Sequence, residues 1–170
     1  MRKRFFAVAA TALALSVMST TAAFADWGQV GSNWFYYYED GTVAKNTWIA
    51  DESGTYWMNN DGKMATDQWV NADDSWYYVN SEGLFLTNQL LEKDNKLYWF
   101  GEDGRMAASA WVTTEEGKTY YFQADGSAVK KGWKMIDGDY YYFLKSGAMA
   151  TDALVPGGYR VGADGKWIQN

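Results

Sequence analysis

The sequence predicts an all-β protein assembled from stacked β-hairpins. Three observations predict it. A unit of about 21 residues recurs through the chain, the signature of a repeat architecture. Each unit carries an aromatic pair shortly before a glycine-containing turn, the pattern of strand residues followed by a reversal. The 170 residues include no cysteine, so the fold must hold together by burying apolar surface rather than by disulfides.

The first segment stands apart from the repeat. Arg2, Lys3 and Arg4 precede an apolar run from Phe5 to Met18, and Ala23-Phe24-Ala25 places small residues where a signal peptidase reads. This is the pattern of a secretory signal peptide over residues 1–25. The run is too short to span hydrocarbon comfortably, and no later stretch is apolar enough to be transmembrane. The expected mature chain, residues 26–170, is an array of about seven repeats in an extracellular, cell-wall-associated protein. Its 12 basic residues face 21 acidic ones, a net −9. Clustered cations are missing, which argues against nucleic acid as a partner.

The units begin at Trp27, Trp48, Trp69, Leu90, Trp111, Trp133 and Leu154, in steps of 21 except for one of 22. A glycine follows in each: Gly41, Gly62, Gly83, Gly104, Gly126, Gly147 and Gly165. The extra residue of the fifth unit falls in the Thr114–Gly117 turn. Each unit reads as a short strand at the leading Trp, a polar turn, a second strand bearing the aromatics, and an Asp-Gly type turn that needs φ > 0. A lone hairpin is marginal in water, so the units must stack. The last is shortened, contains Pro156, and is expected to act as a cap.

Alternation along the second strand divides the aromatics between two faces. Phe35, Tyr56, Tyr77, Tyr98, Tyr120 and Tyr141, six residues before their glycines, share a face with Tyr37, Met58, Val79, Phe100, Phe122, Phe143 and Val161 at four before. That face is the expected core. The other face also carries large rings at the fifth position: Trp57, Tyr78, Trp99, Tyr121 and Tyr142. With Trp76 at the seventh, with the leading Trp48, Trp69, Trp111 and Trp133, and with Met64, Met106 and Met149 after the glycines, these are the candidate ligand-binding residues. They would wall shallow pockets between successive hairpins, or else staple one hairpin to the next. Tyr121 is expected to share such a pocket with Trp133. An aromatic box suits a quaternary ammonium, held over ring faces, or a sugar ring laid on a Trp.

The units from Trp111 to Gly132 and from Trp48 to Gln68 resemble the cell-wall-binding repeats of Gram-positive bacteria. That group includes choline-binding repeats and the related glucan-binding and clostridial-toxin repeats. The resemblance implies a left-handed solenoid of stacked β-hairpins. It also implies choline sites built between hairpins from two Trp, a Tyr and often a Met. By position the leading Trp would include Trp27, the second Trp would be Trp34 and Trp76, and the Tyr would include Tyr36. Leu90 and Leu154 replace the leading Trp in two units, and Thr55, Leu97 and Thr119 replace the second in three.

An enzyme is not expected. The repeat occupies the whole chain after residue 25, and without His or Cys the usual bases, nucleophiles and zinc ligands are missing. Asp73-Asp74 and Glu115-Glu116 fall in turns, where solvated charge is the ordinary explanation. No cofactor or metal is expected. Two readings remain: a module docking on choline-bearing teichoic acid or a glucan-like polysaccharide, and a structural or adhesive scaffold for a protein partner.

Overall fold

The computed structural model describes residues 25–169. Apart from Ala25, the leader expected over residues 1–25 lies outside them. Every element among the described residues is a β-strand, in agreement with the all-β reading. The contacts divide the chain into two compact units that meet in sequence at Leu86 and Thr87.

The first unit holds three antiparallel hairpins: β1 (Asp26–Val30) with β2 (Asn33–Tyr37), β3 (Thr47–Asp51) with β4 (Gly54–Met58), and β5 (Gln68–Ala72) with β6 (Ser75–Val79). The second holds four. These are β7 (Gln89–Lys93) with β8 (Lys96–Phe100), β9 (Ala110–Thr113) with β10 (Thr119–Phe122), and β11 (Gly132–Ile136) with β12 (Asp139–Phe143). The last hairpin, β13 (Ala153–Val155) with β14 (Tyr159–Val161), gains a third strand, β15 (Trp167–Ile168).

Register places the leading residue of each hairpin opposite the one five before its glycine: Trp27 with Tyr36, Trp48 with Trp57, Trp111 with Tyr121, Trp133 with Tyr142. These share one face. The opposite face carries the four-before residues, of which Met58, Val79, Phe100, Phe122 and Phe143 are fully buried. A hairpin inside a stack has no solvent side. Within each unit the Trp-bearing face of one hairpin packs on the other face of the next. Trp27 and Tyr36 cover Ile49 and Met58, and Trp48 and Trp57 cover Val70, Tyr77 and Val79. Leu90 and Trp99 cover Tyr120 and Phe122, and Trp133 and Tyr142 cover Val155 and Val161. The single core face expected from alternation is therefore two faces buried in turn. In β1–β2 the ring of Tyr37 lies over Gly28 and fills the space that an aliphatic side chain takes in later hairpins.

Backbone bonds join hairpins as well. Past each glycine turn the chain bridges back to the second strand, as Met58 to Met64 and Phe122 to Ala128. The N–H of that returning residue then donates to the preceding hairpin: Met64 to the Trp34 carbonyl at 2.8 Å, Ala128 to that of Leu97 at 2.7 Å, Met149 to that of Thr119 at 2.7 Å. Gly126 turns with φ +78 and lies against Met106, leaving no room for a Cβ. The residue two before each later leading position is also left-handed, with φ between 46 and 56: Asn46, Asp67, Asn88, Ser109, Lys131 and Asp152. Asn and Asp tolerate that conformation better than Lys131 does.

The carboxylates before the turn glycines are structural. Asp125 accepts from the Ser127 hydroxyl at 2.6 Å and the Ser127 amide at 3.0 Å. These bonds, with Lys96 beside them, hold its carboxyl at about 2, below the ordinary 3.8. A carboxyl depressed on folding stabilises the fold above its unfolded value, and that contribution is lost as pH falls through the folded one. The turn is therefore expected to contribute fully above about pH 4 and to weaken as pH falls toward about 2. Urea titrations of Asp125→Asn and the parent should differ at pH 5 and converge at pH 2; an equal gap at both would refute the assignment.

Candidate functional site

Among the described residues each unit contains an open aromatic box, and both boxes are formed by neighbouring hairpins. In the first unit Trp27 and Trp34 come from β1–β2, Tyr56 from β4, and Met64 from the returning chain. They line a cavity of about 490 Å³ together with Asp51 and Glu82. The Trp27 ring meets Tyr56 edge to face, with centroids 5.0 Å apart. Its Nε1–H donates to Asp51 Oδ2 at 2.9 Å, which fixes the indole and brings a carboxylate to the rim. Burial pushes the Tyr56 phenol up, and the charges of Asp51 and Glu82 push it further. Neutral rings under a negative rim favour a cation.

The second box is wholly aromatic. Trp133, Tyr140, Tyr159 and Trp167 line a cavity of about 270 Å³. Trp167 stands near-perpendicular to Tyr140 and Tyr159, at 6.2 and 5.9 Å, and Trp133 is perpendicular to Tyr159 at 5.9 Å. The positions are those of the first box, with Tyr140 in place of the second Trp and Trp167 in place of the Met.

The other equivalent junctions within the units are closed or dismantled. Trp48 packs against Trp57, Tyr77 and Phe85, with Phe85 filling the Met position and Thr55 the second Trp position. Trp111 lies against Tyr121, Tyr141 and Phe143 and remains 36% exposed. Inside the β5–β6 hairpin itself, Trp69 contacts Trp76 and Tyr78; Tyr78 is buried and its hydroxyl donates to Asp67. Trp99 lines a separate cavity with Leu90 and Tyr120.

The structure thus brings together only some of the residues singled out from the sequence. Met64 and Trp133 lie in the boxes. Trp57 and Tyr142 pack against the next hairpin's core cluster. Met106 lies against Gly126 and Met149 against Gly165. Tyr121 does not reach Trp133; the cavity beside it is lined by Lys134 and Gln123. Tyr56, assigned to the core alone, is both core and box floor. Tyr140, Tyr159, Trp167, Asp51 and Glu82 were not singled out. The signal for Trp167 was present, since it occupies the column that holds Met64 and Met149 in other repeats.

Fold and boxes together define a repeat-built binding module. A choline-binding repeat model matches residues 42–85 and 127–167, and a cell wall binding repeat model matches residues 109–128. The chain belongs to the choline-binding repeat family. No curated relative matches it. Among solved structures it is 29% identical to CbpJ from Streptococcus pneumoniae TIGR4, with a TM-score of 0.69 over 85% of this chain and 48% of that one. It is 29% identical to choline binding protein F from Streptococcus pneumoniae, solved in the presence of a peptidoglycan analogue, with a TM-score of 0.68 over 84% of this chain and 46% of that one. The choline-binding domain of CbpL from Streptococcus pneumoniae is 27% identical, with a TM-score of 0.55 over 89% of this chain and 99% of the domain. The chain spans about half the length of the first two.

Proposed function

We propose that this chain is an exported, non-catalytic anchoring module that holds choline-bearing teichoic acid at the cell wall. The Trp27–Trp34–Tyr56–Met64 box and the Trp133–Tyr140–Tyr159–Trp167 box take the quaternary ammonium groups. The observation that carries this reading is the second box, lined by aromatic side chains alone. Such a lining offers four ring faces and no carboxylate, amide or cation, with only phenol hydroxyls and indole N–H groups toward a sugar's polar edge, which suits an ammonium. The carboxylates beside the first box act in the same direction. The basic and apolar start of the sequence supports export, and the family match supports the wall as the destination.

Each cation–π contact contributes roughly 0.5–2 kcal/mol, so a box of three or four rings binds in roughly the millimolar range. Two boxes on one chain facing a repeating polymer then gain avidity. Titrating residues 26–170 with choline while following Trp fluorescence is expected to give a saturable response in that range. A glucan oligosaccharide run in parallel measures the polysaccharide alternative. Silence with choline would sink the ammonium reading, and silence with both would leave a scaffold for a protein partner.

A further inference from the structure

The junction between β7–β8 and β9–β10 departs from the box pattern at three of its four walls. Leu90 stands at the leading Trp position, Leu97 at the second Trp position and Ala128 at the Met position. A cavity of about 470 Å³ nevertheless opens there. Its apolar floor is Leu90, Trp99 and Tyr120. Asn88 and Gln89 form one rim, and the β9–β10 turn forms the other, through Thr113, Thr114 and its two glutamates. That turn belongs to the one repeat that is 22 residues long. Five residues separate β9 from β10, where two separate β7 from β8. The lengthened turn and the paired acids of this unit thus meet at one cavity.

We propose that this cavity is a saccharide site that takes a neutral pyranose, separate from the ammonium boxes. A sugar ring needs an apolar platform for its C–H face and interleaved donors and acceptors for its hydroxyls. Trp99 supplies the platform, with Leu90 beside it. The side chains of Asn88, Gln89 and Glu115 make no hydrogen bond to other described residues. Two amides offer both donors and acceptors, and the Glu115 carboxylate offers acceptors. The Thr113 and Thr119 hydroxyls share one hydrogen bond at 2.9 Å, which leaves the pair a further donor. The Asn88 N–H donates to the Gly101 carbonyl at 3.1 Å, which fixes the base of that rim. No cationic side chain lines the cavity. Lys118, beside the turn, is held by Glu116 at 2.8 Å. An acidic sugar therefore meets carboxylates and no counter-charge. A quaternary ammonium finds Trp99 and the buried Tyr120 instead of the three or four rings of the boxes.

The test is calorimetric titration of residues 26–170, run both without choline and with saturating choline. The probes are isomaltotriose for a glucan, the N-acetylglucosamine trimer for an amino-sugar glycan, and trigalacturonate as the charge control. Saturable binding of one neutral trimer is expected, with trigalacturonate at least roughly tenfold weaker. The exposed double variant Asn88→Ala/Gln89→Ala is expected to weaken the neutral trimer by roughly tenfold, the effect of losing two hydrogen bonds. Trp167→Ala is expected to leave sugar affinity unchanged. The proposal is overturned if neither neutral trimer saturates, if choline displaces the sugar, if trigalacturonate binds equally well, or if the double variant binds like the parent. Choline binding without sugar binding would sink this inference alone; sugar binding without choline binding would sink the ammonium reading alone.

Discussion

Replacing Phe122 with alanine is expected to remove a large share of the stability of the second unit. Phe122 is fully buried in the cluster of Leu97, Tyr120, Ala128 and Ala148. Its ring stacks on Tyr120, with centroids 6.3 Å apart. Truncating a buried Phe costs about 3–5 kcal/mol, because the transfer loss is joined by an unfilled cavity. Domains of this size have only about 5–15 kcal/mol in total. Relaxation is restricted here, because the backbone on both sides is tied down. Phe122 pairs with Ala110 and bridges to Ala128, whose N–H is bound to the preceding hairpin. Urea unfolding followed by Trp fluorescence should show the midpoint falling by roughly 1–3 M for that cost and an ordinary slope. Phe35→Ala is the control. Its ring lies on the half-buried face of the first hairpin, and a shift below about 0.5 M is expected. Equal losses at the two sites would mean that stacking does not concentrate stability between hairpins.

Sequence periodicity made the hairpins legible because each repeat carries its own turn chemistry and aromatic pair. Register followed from it: Trp48 does lie opposite Trp57 and Trp111 opposite Tyr121. Alternation also sorted side chains to faces correctly. It does not say what covers each face. In a stack both faces are covered, so Tyr142 at the fifth position is packing. Tyr56, on the supposed core face, reaches past the core edge to the Trp27 box. The left-handed connector residues were legible only in part. Asn46 and Asp67 belong to types that accept positive φ, whereas Lys131 is forced into it by the connection. The second box was missed because its walls are unlike those of the first. Tyr140 and Trp167 stand in the columns that hold Trp34 and Met64, but their residue types differ from the expected Trp and Met, and Tyr159 opens a pair that has decayed to Tyr159-Arg160.

The second large effect is expected at Trp167. Within the proposed ammonium reading, this ring touches Trp133, Tyr140 and Tyr159 and so joins all the other walls of its box. Trp167→Ala removes one ring face outright and opens the box to water, which weakens the contacts of the remaining rings. A loss of roughly 1–3 kcal/mol is expected, or roughly 5- to 150-fold in choline affinity at this box. The first box, built from other residues, should be unaffected. A titration should therefore lose one class of site and keep the other. Trp167 lies on a two-residue strand whose residues pair only with β14, so the β13–β14 ladder persists without the ring. A fold-wide change in the urea midpoint would therefore point to a packing role instead. Charge is separated from shape by comparing choline with 3,3-dimethylbutanol, its uncharged isostere. If the box works by cation–π attraction, the isostere binds at least roughly tenfold more weakly to the parent, and Trp167→Ala narrows that ratio. If it works by apolar area alone, parent and variant discriminate equally little. A Trp167→Phe variant, which keeps a smaller ring face, should fall between the two.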